Sequence, residues 1–419
     1  MEKSRKPKIR FKGFTDDWEQ REFSEMFDCT ISNNTLSRSE LSYEEGSILN
    51  IHYGDILIKY GSILDIHKYK IPRIPNKKKE DFKGSLLQPG DVVIADTAED
   101  ETSGKACEIG GLFGNSIVPG LHTMVARPNI EMASGYLGYY LNSNAYHCQL
   151  LPMMQGIKVQ SLSRANVKKT ALKFPESTKE QQLIANYFIQ LDELITLHQR
   201  KLDKLVNVKK SMLEKMFPQQ GSRIPEIRFC GFTDDWEQRK LVELLTKYTD
   251  EVNVPHNGYE RLGIRSHAKG TFHSYVSEGH ELQTGKMHKV AADKFIVNIT
   301  FGWEHAVAVT DKNDAGKLVS HRFPQYSLSE NLYSKFFKYI ILDDKFKHHL
   351  WLSSPGGAGR NRVLKLDEML EYKIKIPNVQ EQQKIAEVLM DLDHLITLHQ
   401  RKLEKLKNIK KSMLEKMFI

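Results

Sequence analysis

The sequence predicts two mixed α/β (α+β) domains separated by two long helices, arranged as a pseudo-twofold internal repeat. Three observations predict this class. A short polar box occurs twice, a long segment of helix-forming residues occurs twice, and each long segment follows a region with short β-branched runs. With 419 residues, the chain is also long enough for two or more compact domains.

The first repeated element is the short box. Residues 11–21 read FKGFTDDWEQR and residues 229–239 read FCGFTDDWEQR, so that only Lys12 and Cys230 differ. A near-copy of this length indicates that the chain contains the same structural unit twice.

The second repeated element is a long segment at 180–217 that returns at 381–418. The boxes are offset by 218 residues and the long segments by 201, so the first intervening stretch is 17 residues longer than the second. The two intervening stretches, roughly 23–174 and 241–376, do not align with each other. Each copy therefore has a shared framework and a variable region of its own.

Both long segments are predicted to be helices. They contain no glycine or proline, they are rich in Leu, Lys, Glu and Gln, and Pro175 and Pro377 lie just upstream. Their apolar residues alternate at spacings of four and three, which is typical of a coiled-coil seam. The seam positions are Ile184, Phe188, Leu191, Ile195, His198, Leu202, Leu205, Lys209, Met212 and Met216, with Ile385, Leu389, Leu392, Ile396, His399, Leu403, Leu406, Lys410, Met413 and Met417 in the second copy. At about 1.5 Å per residue, each helix is expected to be roughly 55 Å long.

Two polar residues interrupt the seam at matching places in both helices. These are His198 and Lys209 in the first copy and His399 and Lys410 in the second. A polar seam residue lowers stability but fixes the register of a coiled coil, so we interpret the four as register-setting or solvent-exposed. A catalytic or metal-binding histidine pair is the weaker alternative, because no carboxylate or thiol partners accompany it.

The variable regions are predicted to be mixed α/β. Short apolar runs predict strands, and an aromatic segment at 135–150 or 331–346 predicts a helix in each region. The predicted strands are DILIKY (55–60), GDVVIADT (90–97), HTMVARP (122–128), KFIVNITF (294–301) and EHAVAVTD (304–311). Tyr136, Tyr139 and Tyr140 are spaced along one helix face, which favours packing over base stacking.

Basic residues concentrate in several stretches of the variable regions, and the chain as a whole carries a net charge of +8 with a pI near 9.0. Such groups neutralise DNA phosphates and read base edges, which makes them candidate DNA contacts. The candidates are Lys68, Lys70, Arg73, Lys158, Ser161, Arg164, Arg265, His267, Lys269, Arg360, Asn361 and Arg362. A solvated face is the alternative for any one basic run, and a helix N-cap is an equal alternative for Ser161 or Ser163.

Several function classes are excluded by what the sequence lacks. It has no P-loop motif, no HExxH zinc motif and no apolar run of about 18 residues. The four cysteines form no CxxC pair, and the basic N-terminus has no apolar core behind it. We therefore expect a cytoplasmic protein with reduced thiols, no membrane segment, no metal site and no catalytic residues.

The alternation of a variable α/β region with a near-identical helix, twice, resembles the specificity (S) subunit of type I restriction-modification enzymes. The resemblance is carried by the GFTDDWEQR boxes (13–21 and 231–239), the EQQxIA helix starts, and the LITLHQRKL and KKSMLEKMF stretches. It implies two target recognition domains, each reading one half of a split DNA sequence, and an antiparallel pair of helices that acts as a spacer. The implied boundaries are 1–174 and 226–376 for the recognition domains, 175–217 and 377–419 for the spacer helices, and 218–225 for a linker.

The resemblance also implies partners and cofactors. The expected partners are double-stranded DNA, two modification (methyltransferase) subunits that dock on the helices, and restriction/translocase subunits. S-adenosylmethionine, ATP and Mg would be bound by those subunits, and this chain would hold no cofactor.

Two other functions remain open at this point. A stand-alone DNA-binding regulator would bind a palindrome as a homodimer, whereas two unlike domains predict an asymmetric site. A cryptic nuclease or methylase would act on DNA when purified alone with Mg²⁺ or S-adenosylmethionine.

Overall fold

The computed structural model describes residues 6–219, 221–282, 285–356 and 362–419. The backbone forms two compact units: unit 1 comprises Met1–Arg200 and Gln400–Ile419, and unit 2 comprises Lys201–His399. Each unit therefore contains one α+β domain, the N-terminal part of one long helix and the C-terminal part of the other.

Unit 1 is built from short strands and short helices that precede one long helix. Its strands are β1 (Glu19–Glu22), β2 (Phe27–Asp28), β3 (Ile48–Ile51), β4 (Ile63–Leu64), β5 (Arg73–Ile74), β6 (Val92–Ala95), β7 (Thr97–Ala98), β8 (Ala106–Ile109), β9 (Ser116–Pro119), β10 (Thr123–Pro128), β11 (Gln160–Ser161) and β12 (Ala171–Phe174). Its helices are α1 (Phe23–Met26), α2 (Tyr53–Ile58), α3 (Tyr136–Leu141), α4 (Asn144–His147), α5 (Arg164–Val167) and the first part of α6 (Thr178–Lys215), with 3-10 turns at Arg38–Glu40, Lys79–Phe82 and Leu151–Met153. The residues of α6 from Lys201 onward belong to unit 2.

The central sheet of unit 1 has the strand order β2-β10-β6-β8-β4, and a second sheet has the order β5-β3-β9. Neighbours in the central sheet are antiparallel except for β4 and β8, and β3 runs parallel to β9. The main core lies between the central sheet, α3 and the start of α6, and includes Trp18, Tyr136, Tyr140 and Phe188. The tyrosines of α3 therefore pack in the core, as their spacing predicts.

Unit 2 repeats this plan with fewer small strands. Its strands are β13 (Glu237–Lys240), β14 (Leu245–Tyr248), β15 (Glu251–Asn253), β16 (Tyr259–Ile264), β17 (Thr271–Val276), β18 (Lys286–Lys289), β19 (Lys294–Val297), β20 (Val307–Val309), β21 (Leu318–Val319), β22 (Gln325–Leu328) and β23 (Lys373–Ile376). Its helices are α7 (Leu241–Leu244), α8 (Ser334–Ile340), α9 (Asp344–Leu352), α10 (Leu366–Leu370) and the first part of α11 (Val379–Lys416), with a 3-10 turn at Gly302–Glu304. The residues of α11 from Gln400 onward belong to unit 1.

The two variable regions share a sheet topology that their sequences do not reveal. The four-stranded sheet β14-β22-β19-β20 repeats the order β2-β10-β6-β8, and the pair β13–β23 repeats the pair β1–β12. In both units a parallel strand pair, β3–β9 or β16–β21, lies in the second sheet. The internal repeat therefore includes the variable regions at the level of topology.

The two long helices run antiparallel within each unit. In unit 1 the Phe188 and Phe418 rings stack 5.7 Å apart, and Lys410 Nζ lies 2.5 Å from Asp192 Oδ1. From Phe188 to Asp192 the residue numbers rise along α6, whereas their partners on α11 fall from Phe418 to Lys410, so the two helices are antiparallel. In unit 2 Lys209 Nζ lies 2.5 Å from Asp393 Oδ1. All of the predicted seam positions are buried or half-buried, including His198 and His399. The predicted fold class is confirmed, whereas a role of these polar residues in setting the register stays a prediction.

The repeated box and the repeated helix start meet in each unit, which explains why both recur. Arg10, just before the first box, forms a two-pronged ion pair with the buried Glu180 at 2.6 and 2.8 Å and also donates to the Asp16 carbonyl. Arg228 pairs with Glu381 in the same way in unit 2. The box is thereby fixed to the first turn of the helix that follows its domain.

One predicted strand is wrong. The run DILIKY (55–60) contributes to the helix α2 (Tyr53–Ile58) and not to a strand. His52 caps this helix by accepting a hydrogen bond from Gly54 N at 3.2 Å, and Ile56 and Tyr60, four residues apart, are the buried apolar positions. Ile58 is 83% exposed, so the β-branched composition of the run does not reflect burial on a sheet. The other predicted runs contain β6, β10, β19 and β20.

The predicted domain boundaries are not decided by these units, since the long helices belong to both. Gln220, in the predicted linker 218–225, lies outside the described residues.

Candidate nucleic-acid interface

The loop that carries Lys158 and Ser161 is held at one end of strand β6 in unit 1. Strand β11 (Gln160–Ser161) pairs antiparallel with β7 (Thr97–Ala98), and Leu162 N donates to the Asp96 carbonyl at 2.8 Å. Lys158 and Ser161 are both exposed there. The backbone of Ser161 is therefore fixed, and the side chains of Lys158 and Ser161 face solvent.

Arg164 begins the short helix α5 directly after this loop and is half-buried. The Oγ of Ser163 accepts a hydrogen bond from Asn166 N at 3.1 Å and caps that helix. The N-cap role that the sequence left open between Ser161 and Ser163 belongs to Ser163, and Ser161 is not used in this way.

Lys68, Lys70 and Arg73 lie on the segment between β4 and the end of β5. Lys68 is exposed, and Arg73 Nη1 donates to the Gly46 carbonyl at 3.2 Å. Lys70 forms an ion pair with Glu44 and lies over the ring of Tyr43, 5.5 Å from its centroid. Two of the three cations are thus engaged with neighbouring groups in this structure.

Arg38 and Lys59, which the sequence analysis did not single out, surround the same Tyr43 ring. Arg38 Cζ and Lys59 Nζ lie 5.4 and 5.3 Å from the ring centroid, and both also pair with the buried Asp55, at 2.5 and 2.9 Å. The spacing of Asp55 and Lys59, four residues apart, is typical of an ion pair on a helix, and the predicted strand at 55–60 does not account for it.

A polar group at the same end of β6 was also missed. The Thr97 hydroxyl donates to Asp96 Oδ1 at 2.8 Å, and His122 Nδ1 lies 3.5 Å from the same oxygen. The Asp96 and His122 side chains are 23% and 46% exposed. A carboxylate accepts hydrogen bonds from the amino groups of cytosine or adenine, so an acidic residue can belong to a DNA-reading surface that a search for cations overlooks.

In unit 2, Arg265, His267 and Lys269 lie on the tight connection between β16 and β17. Arg265 N donates to the Gly270 carbonyl at 2.9 Å, and the Arg265 guanidinium lies over Phe272, with Cζ 5.3 Å from the ring centroid. Arg265, His267 and Lys269 are exposed. The connection therefore presents three basic side chains on a closed hydrogen-bonded turn.

This turn is tied to the loop after β19. His267 N donates to the Glu304 carbonyl and Ala268 N donates to the His305 carbonyl, both at 2.8 Å. Trp303, in the same loop, faces Arg362, whose Cζ lies 6.0 Å from its ring centroid. The structure thereby brings together two groups of candidates, Arg265 to Lys269 and Arg362, that are about a hundred residues apart in the sequence. Arg360 and Asn361 lie outside the described residues.

The loops in the two units occupy equivalent places. Leu162 N donates to the Asp96 carbonyl after β6, and Leu364 N donates to the Ile299 carbonyl after β19, at 2.9 Å. Lys158 and Ser161 in unit 1 and Arg362 in unit 2 therefore stand at the same end of the repeated sheet. That these residues contact DNA stays a prediction.

Two buried ionisable groups of unit 1 have raised pKa values. Burial raises the pKa of the Cys107 thiol, and it raises the pKa of the Glu108 carboxyl to about 7, although the N–H groups of Gly135 and Gly138 oppose this rise. No cluster of three or more His, Cys, Asp or Glu able to hold a metal ion occurs among the described residues. None of their helices is long and apolar enough to cross a bilayer.

Comparison with known proteins places this arrangement in a family. The family model described as the type I restriction modification DNA specificity domain matches residues 15–207 and again 234–408. A Methanocaldococcus jannaschii protein, assigned as the MjaX type I restriction enzyme specificity subunit, is 24% identical over 415 residues, which cover 95% of this chain and 92% of the relative.

Two further likenesses cover different lengths. The MjaVIII type I restriction enzyme specificity subunit of the same organism is 23% identical over 251 residues, or 56% of this chain and 58% of that protein. The crystal structure of the S subunit of a type I restriction-modification system from M. genitalium covers 99% of both chains with a TM-score of 0.57 and 12% identity. This last likeness shows that the fold is shared.

Proposed function

Because this chain belongs to the type I restriction-modification DNA specificity family, we propose that it reads a bipartite, asymmetric DNA target and directs methyltransferase and restriction subunits to it. The chain is the specificity component of such a system and not its enzyme. Its recognition domains, in this proposal, are residues 1–174 and 226–376, and the two long helices are the spacer between them.

One observation carries the bipartite reading: the two units keep the same framework and differ in the loops that the framework presents. The pairs Arg10–Glu180 and Arg228–Glu381 repeat contact for contact. The loops at the equivalent end of the sheet present Lys158 and Ser161 in one unit and Arg362 between aromatic rings in the other. Identical frameworks with unlike side chains support two half-sites of different sequence.

The helices also carry a repeated exposed surface that supports the docking of two modification subunits. Leu194 and Leu197 on α6 are 44% and 47% exposed, and their repeat equivalents Leu395 and Leu398 on α11 are 40% and 39% exposed. Because the same pair of leucines is exposed on both helices, we expect each pair to bind the same kind of partner surface. S-adenosylmethionine, ATP and Mg are assigned to the partner subunits in this proposal.

The test is methylome sequencing of cells that carry this gene and its modification partner, compared with cells that lack the gene. We expect one methylated motif with two unlike halves and a fixed gap. Replacement of residues 23–174 by the corresponding region of another family member should change only one half of that motif. A change in both halves would contradict the modular reading.

The two remaining alternatives give different results in the same system. A stand-alone regulator would bind a palindromic site without a modification partner and would leave the methylome unchanged. A cryptic enzyme would cleave or methylate DNA when purified alone with Mg²⁺ or S-adenosylmethionine, and we expect the purified chain to be inert in that assay.

A further inference from the structure

Arg362 is held by aromatic rings in unit 2. Its Cζ lies 4.9 Å from the ring centroid of Trp351 and 6.0 Å from that of Trp303. His348 also stacks on the Trp351 indole, with ring centroids 6.0 Å apart and planes inclined by 12°. A guanidinium over indole faces is attracted by the ring quadrupole, which limits the positions that the side chain visits.

The guanidinium has no carboxylate within ion-pair distance in the described part of the chain. Arg10, Arg127 and Arg228 differ in this respect, because each makes a two-pronged pair with a buried carboxylate. Those three arginines therefore use their side-chain donors for hydrogen bonds within the chain. Among the described residues the Arg362 guanidinium meets the two rings and no carboxylate, which leaves its donors available to a ligand, while its charge is stabilised by rings that accept no strong hydrogen bond at their faces.

The backbone that follows this residue is fixed. Leu364 N donates to the Ile299 carbonyl and Lys365 N donates to the Ser353 carbonyl, both at 2.9 Å. Gly302 lies so close to Leu364 that an added Cβ would come within 2.9 Å of that side chain. The segment that begins at Arg362 is therefore clamped between the loop after β19 and the end of α9.

From this arrangement we propose that Arg362 reads a guanine in the half-site recognised by unit 2, with Trp351 and Trp303 as positioning residues. The inference rests on the proposed function and adds to it one base and the residue that reads it. Arginine contacts the O6 and N7 acceptors of guanine with two parallel donors, and this contact needs a guanidinium whose plane is held before binding. Two indoles supply that restraint.

A phosphate contact is the competing role for the same guanidinium, and the two roles predict different results. A phosphate contact carries no sequence information, so its loss weakens binding to every sequence alike. A guanine contact is lost only on targets that contain that guanine, so the variant should lose its preference at one position of one half-site. Lysine keeps the charge but cannot make the two-pronged contact.

The experiment measures DNA binding by the complex of this chain with its modification partner, on its own methylome-defined target and on targets substituted one base pair at a time. For wild type we expect a guanine in the half-site of unit 2 whose replacement costs about 5- to 150-fold in affinity. Arg362→Ala and Arg362→Lys should both erase this preference at that single position. Trp351→Ala should weaken the same preference, whereas Trp351→Phe should retain more of it because a ring face remains.

The control is Lys269→Ala, on the neighbouring β16–β17 turn, which should weaken binding to all targets without altering any preference. A uniform loss in Arg362→Ala, with every base preference intact, would overturn the guanine assignment in favour of a phosphate contact. Wild type that shows no bipartite target would instead contradict the proposed function itself, so the two failures are distinguishable.

Discussion

Lys410 Nζ on α11 lies 2.5 Å from Asp192 Oδ1 on α6, and the Tyr139 hydroxyl donates to the other oxygen of the same carboxylate at 2.8 Å. Lys410 also lies over the Tyr139 ring, 5.4 Å from its centroid. One carboxylate therefore joins both long helices to the domain of unit 1. The same triad of Lys209, Asp393 and Tyr339 recurs in unit 2.

The first prediction concerns this ion pair. Asp192→Asn, Lys410→Gln and the double variant should show a coupling of about 1 kcal/mol in the free energy of unfolding of unit 1, because the two charges are only partly exposed. The chain has four tryptophans, and Trp18 lies in the core of unit 1. The 19F signal of Trp18 after 5-fluorotryptophan labelling therefore reports this unit in a urea titration.

The matched variants Asp393→Asn and Lys209→Gln provide the control in unit 2, where the buried Trp236 is the reporter. They should affect the Trp236 signal and show a coupling of similar size. Purely additive effects in both units would mean that the two salt bridges do not stabilise the helix pairing.

A larger effect is expected from the ion pair between Arg10 and Glu180, whose side chains are 13% and 1% exposed. Arg10→Met should destabilise unit 1 by about 3–5 kcal/mol, because it leaves a buried carboxylate without its partner. The double variant Arg10→Met/Glu180→Gln removes the charge and should recover part of this loss. If the double variant were as unstable as Arg10→Met alone in the Trp18 titration, the unpaired charge would not be the cause.

The stability of unit 1 should fall as the pH rises from about 4.5 to about 7. Burial raises the pKa of Glu108 from its ordinary value of 4.5 to about 7 in the folded chain, so the folded state binds the proton more tightly than the unfolded state. The stabilisation is complete below the unfolded pKa and is lost as the pH rises through the folded pKa. It amounts to at most about 3 kcal/mol.

The check is the urea midpoint of the Trp18 signal between pH 4.5 and pH 8 in wild type and in Glu108→Gln. The variant cannot titrate at this position and should lose this component of the pH dependence. The equivalent strand position in unit 2 is Val309, which pairs with Phe295 as Glu108 pairs with Val92, so the Trp236 signal should lack the same component in both proteins. An unchanged pH profile in Glu108→Gln would assign the dependence to other groups.

The framework could be predicted from the sequence where the same residues occur in both copies. It could not be predicted where the two copies share only the pattern of buried positions. The boxes and the helix seam could be found because their side chains make specific contacts twice. The shared strand order was not visible, because a buried strand requires apolar residues of no fixed identity: Val92 and Val93 in β6 correspond to Phe295 and Ile296 in β19. The contact of Arg10 with Glu180 joins residues 170 positions apart, a separation that periodicity cannot reveal.

The candidate site was predictable in part for a related reason. Lone basic residues such as Lys158 and Lys269 stand out in a charge count, and the structure leaves them exposed. The Tyr43 group of Arg38 and Lys59 was missed, because its members come together only once α2 is recognised as a helix. The two tryptophans beside Arg362 lie about ten and sixty residues before it in the sequence, and only the fold unites them.

Salt dependence offers a separate prediction for the β16–β17 turn. Lys269→Ala should lower the affinity for every DNA sequence and reduce the slope of log K against log salt by about 1, as expected for the loss of one phosphate contact. Lys204→Ala, an exposed lysine on α6, is the control and should leave the slope unchanged. An unaltered slope in Lys269→Ala would remove this residue from the candidate interface.

The spacer role of the helices predicts how an insertion changes the target. Seven residues inserted after Arg200 and seven after Arg401 keep the four-and-three seam in phase in both helices. At about 1.5 Å per residue they add roughly 10 Å, which corresponds to about three base pairs of B-DNA. The methylome of cells with this variant should show both half-motifs unchanged and their gap longer by about three base pairs. The control is an insertion of four residues in α6 alone, which puts its seam out of phase with that of α11 and should abolish methylation because the helices no longer pair. An unchanged gap in the seven-residue variant would refute the spacer role.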